Sequence, residues 1–558
     1  MTTISHTLPA TPEWWRGAVI YQIYPRSFAD ANGDGVGDIR GITERMPYLA
    51  SLGVDAIWIS PIFKSPMKDF GYDVQDYRQI DPLFGTLEDF EACIAAAHRH
   101  GLKVMVDQVL SHTSDQHAWF QESRASRNNA RADWYVWADA QADGTPPTNW
   151  QSVFGGSAWM WDARRKQYYL HNFLASQPDL NFHCAAVQEQ LLADVEFWLQ
   201  RGVDGFRFDT ANYLHHDTQL RNNPPAADAA PGKQANPYDM QEHLYDKNQP
   251  ENVAFFERMR TLLDRYGAAS VGEVGDAEAL GLMLDYTAGN KRLNMTYSFA
   301  FLGDQNNAAH VRRHTTEFEE ADARSGANSW PCWTIGNHDA PRVLTRWKGL
   351  SAPDEFVRMQ LAMLCSLRGS VCWYQGDELA LQDADIPFEQ LQDPRGIAFW
   401  PEDKGRDGCR TPMPWNHEQP VSGFSGGKPA TPWLPVPVQH TVQAVSLVEE
   451  RPTAALHFVK AFLAWRRTQS ALVRGDIEFL QGSDAVLALV RRPAVGETGQ
   501  SWLCVFNFSD REVRVALPDA PSSTVHVLPQ LPSHQSGARL DSDFVLPAYG
   551  IYWGAVSA

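Results

Sequence analysis

The chain has 558 residues, with 48 basic and 67 acidic side chains and a formal net charge of −19. That length holds two to four structural units, and the acidity argues against a polyanionic partner such as nucleic acid. Seven widely spaced cysteines without a CxxC pair argue against a disulfide framework or zinc site, and no apolar run of about eighteen residues could span a bilayer. The start, MTTISHTLPATPEWWRG, lacks a basic segment followed by an apolar one, so a cytoplasmic protein without membrane contact is expected.

The first strand-like segment is VIYQIYP (19–25), and DANGDGVGD (30–38) follows it. Asp30, Asn32, Asp34 and Asp38 alternate there with small residues, as oxygen ligands do in calcium loops. An EF-hand needs a bidentate acid at its twelfth position and flanking helices. Gly41 stands at the twelfth position and a strand precedes, so this is no EF-hand; by composition a metal-free Gly/Asp turn is equally good.

GVDAIWIS (53–60), GLKVMVDQV (101–109) and GVDGFRFDT (202–210) each read as glycine turn then buried strand. Leu191, Leu192, Val195, Trp198 and Leu199 precede the third at helix spacing, with Gly202 as a turn residue. ASVGEV (269–274), MTYSF (295–299), CWTIGN (332–337) and SVCWYQG (370–376) bring the strands to eight, the number of an α/β (β/α)₈ TIM barrel. Residues 111–181, rich in Trp, Asn and Gly, are too long for a crossover and read as a loop-rich inserted domain after strand 3. Irregular excursions are expected at about 215–250 and 379–437. After 470, DIEFLQG, AVLALVRR, SWLCVFNFS, VRVALP, VHVLP and GIYWGA alternate as an antiparallel β-sandwich. The expected division is a barrel over 1–110 and 182–470, the insertion 111–181, and the sandwich 471–558.

Reactive groups of such a barrel sit where strands end. Asp107, His112, Arg207, Asp209, Glu273, His338 and Asp339 all fall there. Carboxylates without a thiol nucleophile suit glycoside cleavage, which needs one carboxyl kept protonated and one ionised. Strand alternation puts Arg207 and Asp209 on one face, where the guanidinium would keep the carboxylate ionised and aimed. Val271, Gly272 and Val274 give Glu273 an apolar setting that raises its pKa and suits an acid/base role.

DQVLSH (107–112), GFRFDTAN (205–212), VGEVGD (271–276) and IGNHD (335–339) resemble the four short regions of glycoside hydrolase family 13, the α-amylase family. QPDLN (177–181), FGYDVQDY (70–77), FGTLEDF (84–90) and GRDGCRTPMPW (405–415) resemble its α-glucosidase and oligo-1,6-glucosidase branch. The resemblance implies Asp209 as nucleophile, Glu273 as general acid/base and Asp339 as the carboxylate holding sugar hydroxyls. It implies a glucose pocket with Arg207, His112 and His338, an aromatic platform at Tyr72, a pair Asp73–Arg406 closing the non-reducing end, and Phe154 and Phe173 among the substrate-binding residues. It also implies a calcium ion (magnesium in some relatives) held by Asp30, Asn32, Asp34, Asp38 and the Val36 carbonyl.

Ser111 stands where most relatives have Asn, and Gln108 replaces a hydrophobic residue. Thr210 follows the nucleophile, a position where valine goes with α-1,6 bonds and Ala, Gly or Thr with α-1,4. The expected activity is a retaining exo-α-glucosidase acting on small α-1,4 glucosides such as maltose, with transfer to alcohol acceptors, as a monomer or homodimer. A glucosyltransferase or isomerase acting on sucrose or maltose, and an oligo-1,6-glucosidase, are the alternatives. A catalytically dead relative such as a transporter heavy subunit is disfavoured, because all three carboxylates are present.

Overall fold

Short apolar segments opened by a turn make the central sheet of the protein. In the computed structural model, which describes residues 13–227, 236–276, 279–517, 520–526, 539–540 and 543–556, eight of them close into a parallel barrel. They are β1 (Val19–Ile23), β2 (Ala56–Ile59), β3 (Lys103–Val109), β4 (Gly205–Asp209), β5 (Ala269–Glu273), β6 (Met295–Tyr297), β7 (Pro331–Thr334) and β8 (Ser370–Tyr374). Each pairs with its sequence neighbour, and β8 closes on β1 with Val19 opposite Val371.

Alternation along the strands separates two apolar layers. Ile20, Ala56, Trp58, Met105, Val271, Met295 and Tyr297 fill the barrel. Val19, Ile57, Val104, Val106, Phe206 and Phe208 face the surrounding helices. Arg207 and Asp209 fall on the inner side of β4, out of phase with its two phenylalanines. Gly205 starts that strand because a Cβ there would lie 2.7 Å from the Ala269 carbonyl oxygen. The helix before β4 runs Ala185–Leu199 and buries Leu191, Val195, Trp198 and Leu199, and Gly202 turns the chain at φ +92°.

The segment between β3 and β4 carries helix Ala118–Ser123 and a three-stranded antiparallel sheet of Trp137–Ala138, Gln167–Leu170 and Trp159–Asp162. Trp150 Nε1 ties it to the Arg221 carbonyl (2.9 Å) in the 215–250 excursion, whose residues 228–235 lie outside the described residues. The 379–437 stretch holds short 3₁₀ turns and helix Pro394–Phe399.

Helix Ser470–Arg474 crosses the expected boundary at 470/471 and leads into a six-stranded sheet ordered Asp476–Phe479, Val486–Arg492, Trp502–Asn507, Ile551–Val556, Ser523–His526 and Arg539–Leu540. Val513–Ala516 and Asp543–Leu546 form a second ladder. Ala488, Val490, Leu503, Val505 and Val515 pack within the domain, while Leu489, Phe506 and Trp553 face the barrel helices. The expected strand VHVLP (525–529) extends outside the described residues beyond His526. Among the described residues, no helix is long and apolar enough to cross a membrane.

Candidate active site

Parallel strands deliver their C-terminal residues to one mouth, and Arg207 sits at its centre. Its guanidinium reaches Asp107 Oδ1 at 2.8 Å, Asp209 Oδ1 at 2.7 Å and Glu273 Oε2 at 2.6 Å. One buried cation facing three buried carboxyls would leave a net charge of −2 if all were ionised, so one proton is retained. Burial pushes Glu273 up to about 8, with Asp209 and Asp339 adding to it and Arg207 opposing. Burial also raises Asp209 while Arg207 pulls it back, so the guanidinium offsets only part of the desolvation. The proton rests on Glu273.

Asp339 lies beyond β7 under different control. Burial opposes its ionisation, but the permanently charged guanidiniums of Arg406 and Arg410 outweigh it and hold the carboxyl well below the usual range. Arg410 Nη2 donates to Asp339 Oδ1 at 2.6 Å and Arg406 Nη1 at 3.2 Å. Burial lowers His338 to about 3, so its ring is neutral. Gln22 Nε2 donates to its Nδ1 at 2.7 Å, and its Nε2 meets the Tyr72 hydroxyl at 2.6 Å. Tyr72 in turn donates to Asp107 Oδ2 at 3.0 Å, and its ring stacks on His338 at 5.4 Å. The aromatic floor is thus fixed by a chain of hydrogen bonds.

The pairing expected of Asp73 and Arg406 is corrected by the geometry. Arg406 Nη2 reaches Asp69 Oδ1 at 3.1 Å and Asp393 Oδ1 at 2.7 Å. Asp73 is turned into its own loop, where Oδ1 accepts from Ser65 Oγ (2.9 Å) and the Asp69 amide (3.0 Å), and Oδ2 from the Lys68 amide (3.0 Å). Positive φ at Phe70 (+51°) and Gly71 (+110°) reverses the chain between the two aspartates, so Asp69 faces the cavity and Asp73 holds the turn.

A cavity of about 430 Å³ joins these groups. Asp69, Tyr72, His112, Asp209, Glu273, Asp339 and Arg406 line it. Phe154, Phe173 and Thr210 also line it, so the structure brings them to the same space. Arg207 and His338 stand behind that lining. Sequence reasoning missed Asp69, Tyr213, Phe299, Leu302, Asn337 and Arg395, which are among the remaining residues of the wall. Only Asp69 carried a signal, as the acid beside the FGYD segment.

The 30–38 loop offers oxygen donors only, which is the chemistry a hard cation such as calcium takes. Asp30 accepts from the Gly33 and Gly35 amides and Asp34 from the Val36 amide. Asp38 accepts from the amides of Ala31, Asn32 and Gly41. Among the described residues no three acidic, His or Cys side chains gather as a metal-holding group, so the donors suit the ion in kind but are closed on loop amides.

A barrel with paired carboxyls of separated pKa and a third held ionised defines an enzyme acting on glycosidic bonds. The family described as alpha amylase, catalytic domain, matches residues 22–475. The chain belongs to that family and is a glycoside hydrolase. It is 50% identical over 564 residues to a probable alpha-glucosidase of Rhizobium meliloti (strain 1021), covering 100% of this chain and 99% of the relative. The crystal structure of the alpha-glucosyl transfer enzyme XgtA is also 50% identical, with a TM-score of 0.91 over 98% of this chain and 100% of that one. The trehalulose synthase MutB of Pseudomonas mesoacidophila MX-45 is 30% identical, with a TM-score of 0.87 and the same coverage.

Proposed function

We propose that the chain is a retaining, exo-acting α-glucosidase that removes terminal α-1,4-linked glucose from short substrates such as maltose and passes it to water or an alcohol. The observation that carries this reading is the single guanidinium shared by Asp107, Asp209 and Glu273, with Glu273 alone pushed up to about 8. Arg406 and Asp69 support exo action, because both line the cavity that holds the catalytic carboxyls and their ion pair would close it behind a terminal sugar.

Asp209, ionised, attacks the anomeric carbon as Glu273 gives its proton to the departing glycosidic oxygen. The bond to the aglycone breaks and a glucosyl ester forms on Asp209. Glu273, now a carboxylate, takes a proton from water or an alcohol, whose oxygen attacks the same carbon and frees Asp209. Asp339 accepts hydrogen bonds from the sugar hydroxyls, and Tyr72 stacks on the ring. Phe299, Leu302, Ala340 and Pro341 give the cavity an apolar stretch of lining suited to alcohol acceptors. That lining, with the likeness to a glucosyl transfer enzyme and a trehalulose synthase, supports a glucosyltransferase or isomerase as the second reading. A neighbour such as Thr210 changes linkage discrimination by only about 1–3 kcal/mol.

We also propose a calcium ion in the 30–38 loop, held by Asp30, Asn32, Asp34, Asp38 and the Val36 carbonyl, whose oxygen donors would turn from the loop amides to the ion.

Products formed from maltose and from sucrose, followed by NMR, test the main reading. Glucose released with retained configuration is expected, Asp209→Asn should lose turnover, and kcat should fall above about pH 8 as Glu273 loses its proton. Accumulation of an isomerised disaccharide in place of glucose would establish the second reading instead.

A further inference from the structure

Besides Arg207, Thr210 also touches both catalytic carboxyls. Thr210 follows Asp209 at the end of β4 with φ +40°, a left-handed conformation that β-branched residues rarely adopt. In that conformation its amide donates to Glu273 Oε2 at 3.1 Å and its hydroxyl to Asp209 Oδ2 at 3.3 Å. Across from it, just beyond β3, the buried Ser111 places Oγ 2.9 Å from Thr210 Oγ1 and 2.9 Å from His112 Nδ1.

Each hydroxyl has one proton to give, so the direction of the chain is set at His112. Burial lowers His112 to about 4, leaving a neutral ring with a single N–H. Its Nε2 lies 3.2 Å from Gln177 Nε2 and 3.1 Å from the Tyr72 carbonyl oxygen. Gln177 is oriented by its Oε1, which accepts from the Leu174 amide at 2.9 Å, and its Nε2 also donates to Asp69 Oδ2 at 3.0 Å.

With the proton on Nδ1, Gln177 gives its second amide proton to His112 Nε2. His112 then donates to Ser111, Ser111 to Thr210, and Thr210 to Asp209, and every donor in the chain has an acceptor. With the proton on Nε2, Ser111 has to donate to Nδ1 and Thr210 to Ser111. Asp209 Oδ2 then loses its donor and a Gln177 proton loses its acceptor. The first arrangement leaves the Tyr72 carbonyl without the His112 donor, but the second leaves an amide proton without an acceptor and takes the hydroxyl proton off Asp209, which costs more and favours the first.

Resting on the reading of Asp209 as nucleophile and Glu273 as acid/base, we propose that Ser111 is a positioning residue: its hydroxyl, directed by His112, holds the Thr210 hydroxyl on Asp209 Oδ2 and steadies the strained turn that presents the Thr210 amide to Glu273. Ser111 is not part of the cavity wall and acts through Thr210. Arg207 anchors Asp209 Oδ1 at 2.7 Å with a charge-assisted bond. Oδ2, which accepts the longer hydroxyl bond from Thr210, is the oxygen free of the guanidinium and the one assigned to reach the anomeric carbon.

The test is the pH dependence of kcat/KM with p-nitrophenyl α-glucoside, for the parent, Ser111→Ala, Thr210→Val, Thr210→Ser and the Ser111→Ala/Thr210→Val double variant. Ser111→Ala and Thr210→Val should each lower kcat/KM about fivefold. Each should also move the acid limb to higher pH, because a bond to the ionised carboxylate is gone. Thr210→Ser, which keeps the hydroxyl, should retain the parent limb, and the double variant should be no worse than Thr210→Val. Acid limbs unmoved in Ser111→Ala and Thr210→Val, or losses that add in the double variant, overturn the relay. If Ser111→Ala does not fold, the Thr210→Val and Thr210→Ser pair decides by the same limb. An inactive Asp209→Asn beside an unmoved Ser111→Ala limb sinks the relay alone; an active Asp209→Asn sinks the underlying reading.

Discussion

Asp69 gives one oxygen to Arg406 (3.1 Å) and the other to Gln177 (3.0 Å), so its charge helps hold a guanidinium that also serves Asp393 and Asp339. Asp69→Ala should therefore raise KM for maltose about tenfold or more, with a smaller change in kcat, because a charged hydrogen bond at the glucose end is lost. Asp73→Ala should instead lower the melting temperature and leave KM near the parent value. Steady-state kinetics and a thermal melt on both variants decide it, and the opposite pattern would restore Asp73 as the closing residue. The segment KDFGYD places two acids four residues apart, and spacing alone does not tell which one a turn projects. That depends on the backbone at Phe70 and Gly71, where a non-glycine residue takes positive φ only in the folded context. Arg207, Asp209 and Glu273 were legible for the contrary reason: strand alternation fixes which face a residue occupies, with no turn to decide.

The loop between β1 and the next helix acts as an element. Asp30 N donates to the Phe424 carbonyl (2.9 Å), Lys428 Nζ to the Ala31 carbonyl (2.6 Å) and Trp433 N to the Gly35 carbonyl (3.0 Å). A Cβ at Gly35 would lie 1.9 Å from the Thr431 carbonyl oxygen, so the 424–433 strap packs directly on the loop. Binding a cation to the folded loop stabilises it by mass action. Chelation with EDTA should then lower the melting temperature by several degrees and calcium should restore it, with kcat changed less. Asp30→Ala should remove the response, and a melt indifferent to EDTA and calcium would end the proposal. The eight barrel strands were readable because each is a short apolar run opened by a turn and buried on both faces. The contact between loop and strap was not readable, since it joins segments about four hundred residues apart through backbone atoms.

At the scale of the whole molecule, the barrel and the C-terminal sheet meet at Arg491. This residue is the first of the two arginines that end the run AVLALVRR, which read as a plain sandwich strand because arginine near a strand end is ordinarily solvated. Here it is fully buried, and its guanidinium donates to the carbonyls of Ser366 (2.7 Å) and Leu367 (2.8 Å) just before β8. On the other side it donates to Leu472 (3.3 Å), Gly475 (2.8 Å) and Asp476 (3.2 Å), where the chain enters the sheet. Five carbonyls from two structural units thus share one cation, and elsewhere between barrel helices and sheet Trp553 stacks on Phe462 at 5.1 Å. Arg491→Met keeps much of the apolar stem but strips every one of those acceptors of its donor, and buried acceptors without donors are costly. A loss of about 3–5 kcal/mol is expected, seen as a single cooperative melt at lower temperature in which activity and ellipticity disappear together. Arg491→Lys should rescue little of it, because an ammonium has three donors and no planar fork to span five carbonyls. A melt of Arg491→Met within a degree or so of the parent would show that the junction rests on apolar packing alone. Two separate transitions, with barrel activity surviving the first, would show that the two units are not coupled through this side chain.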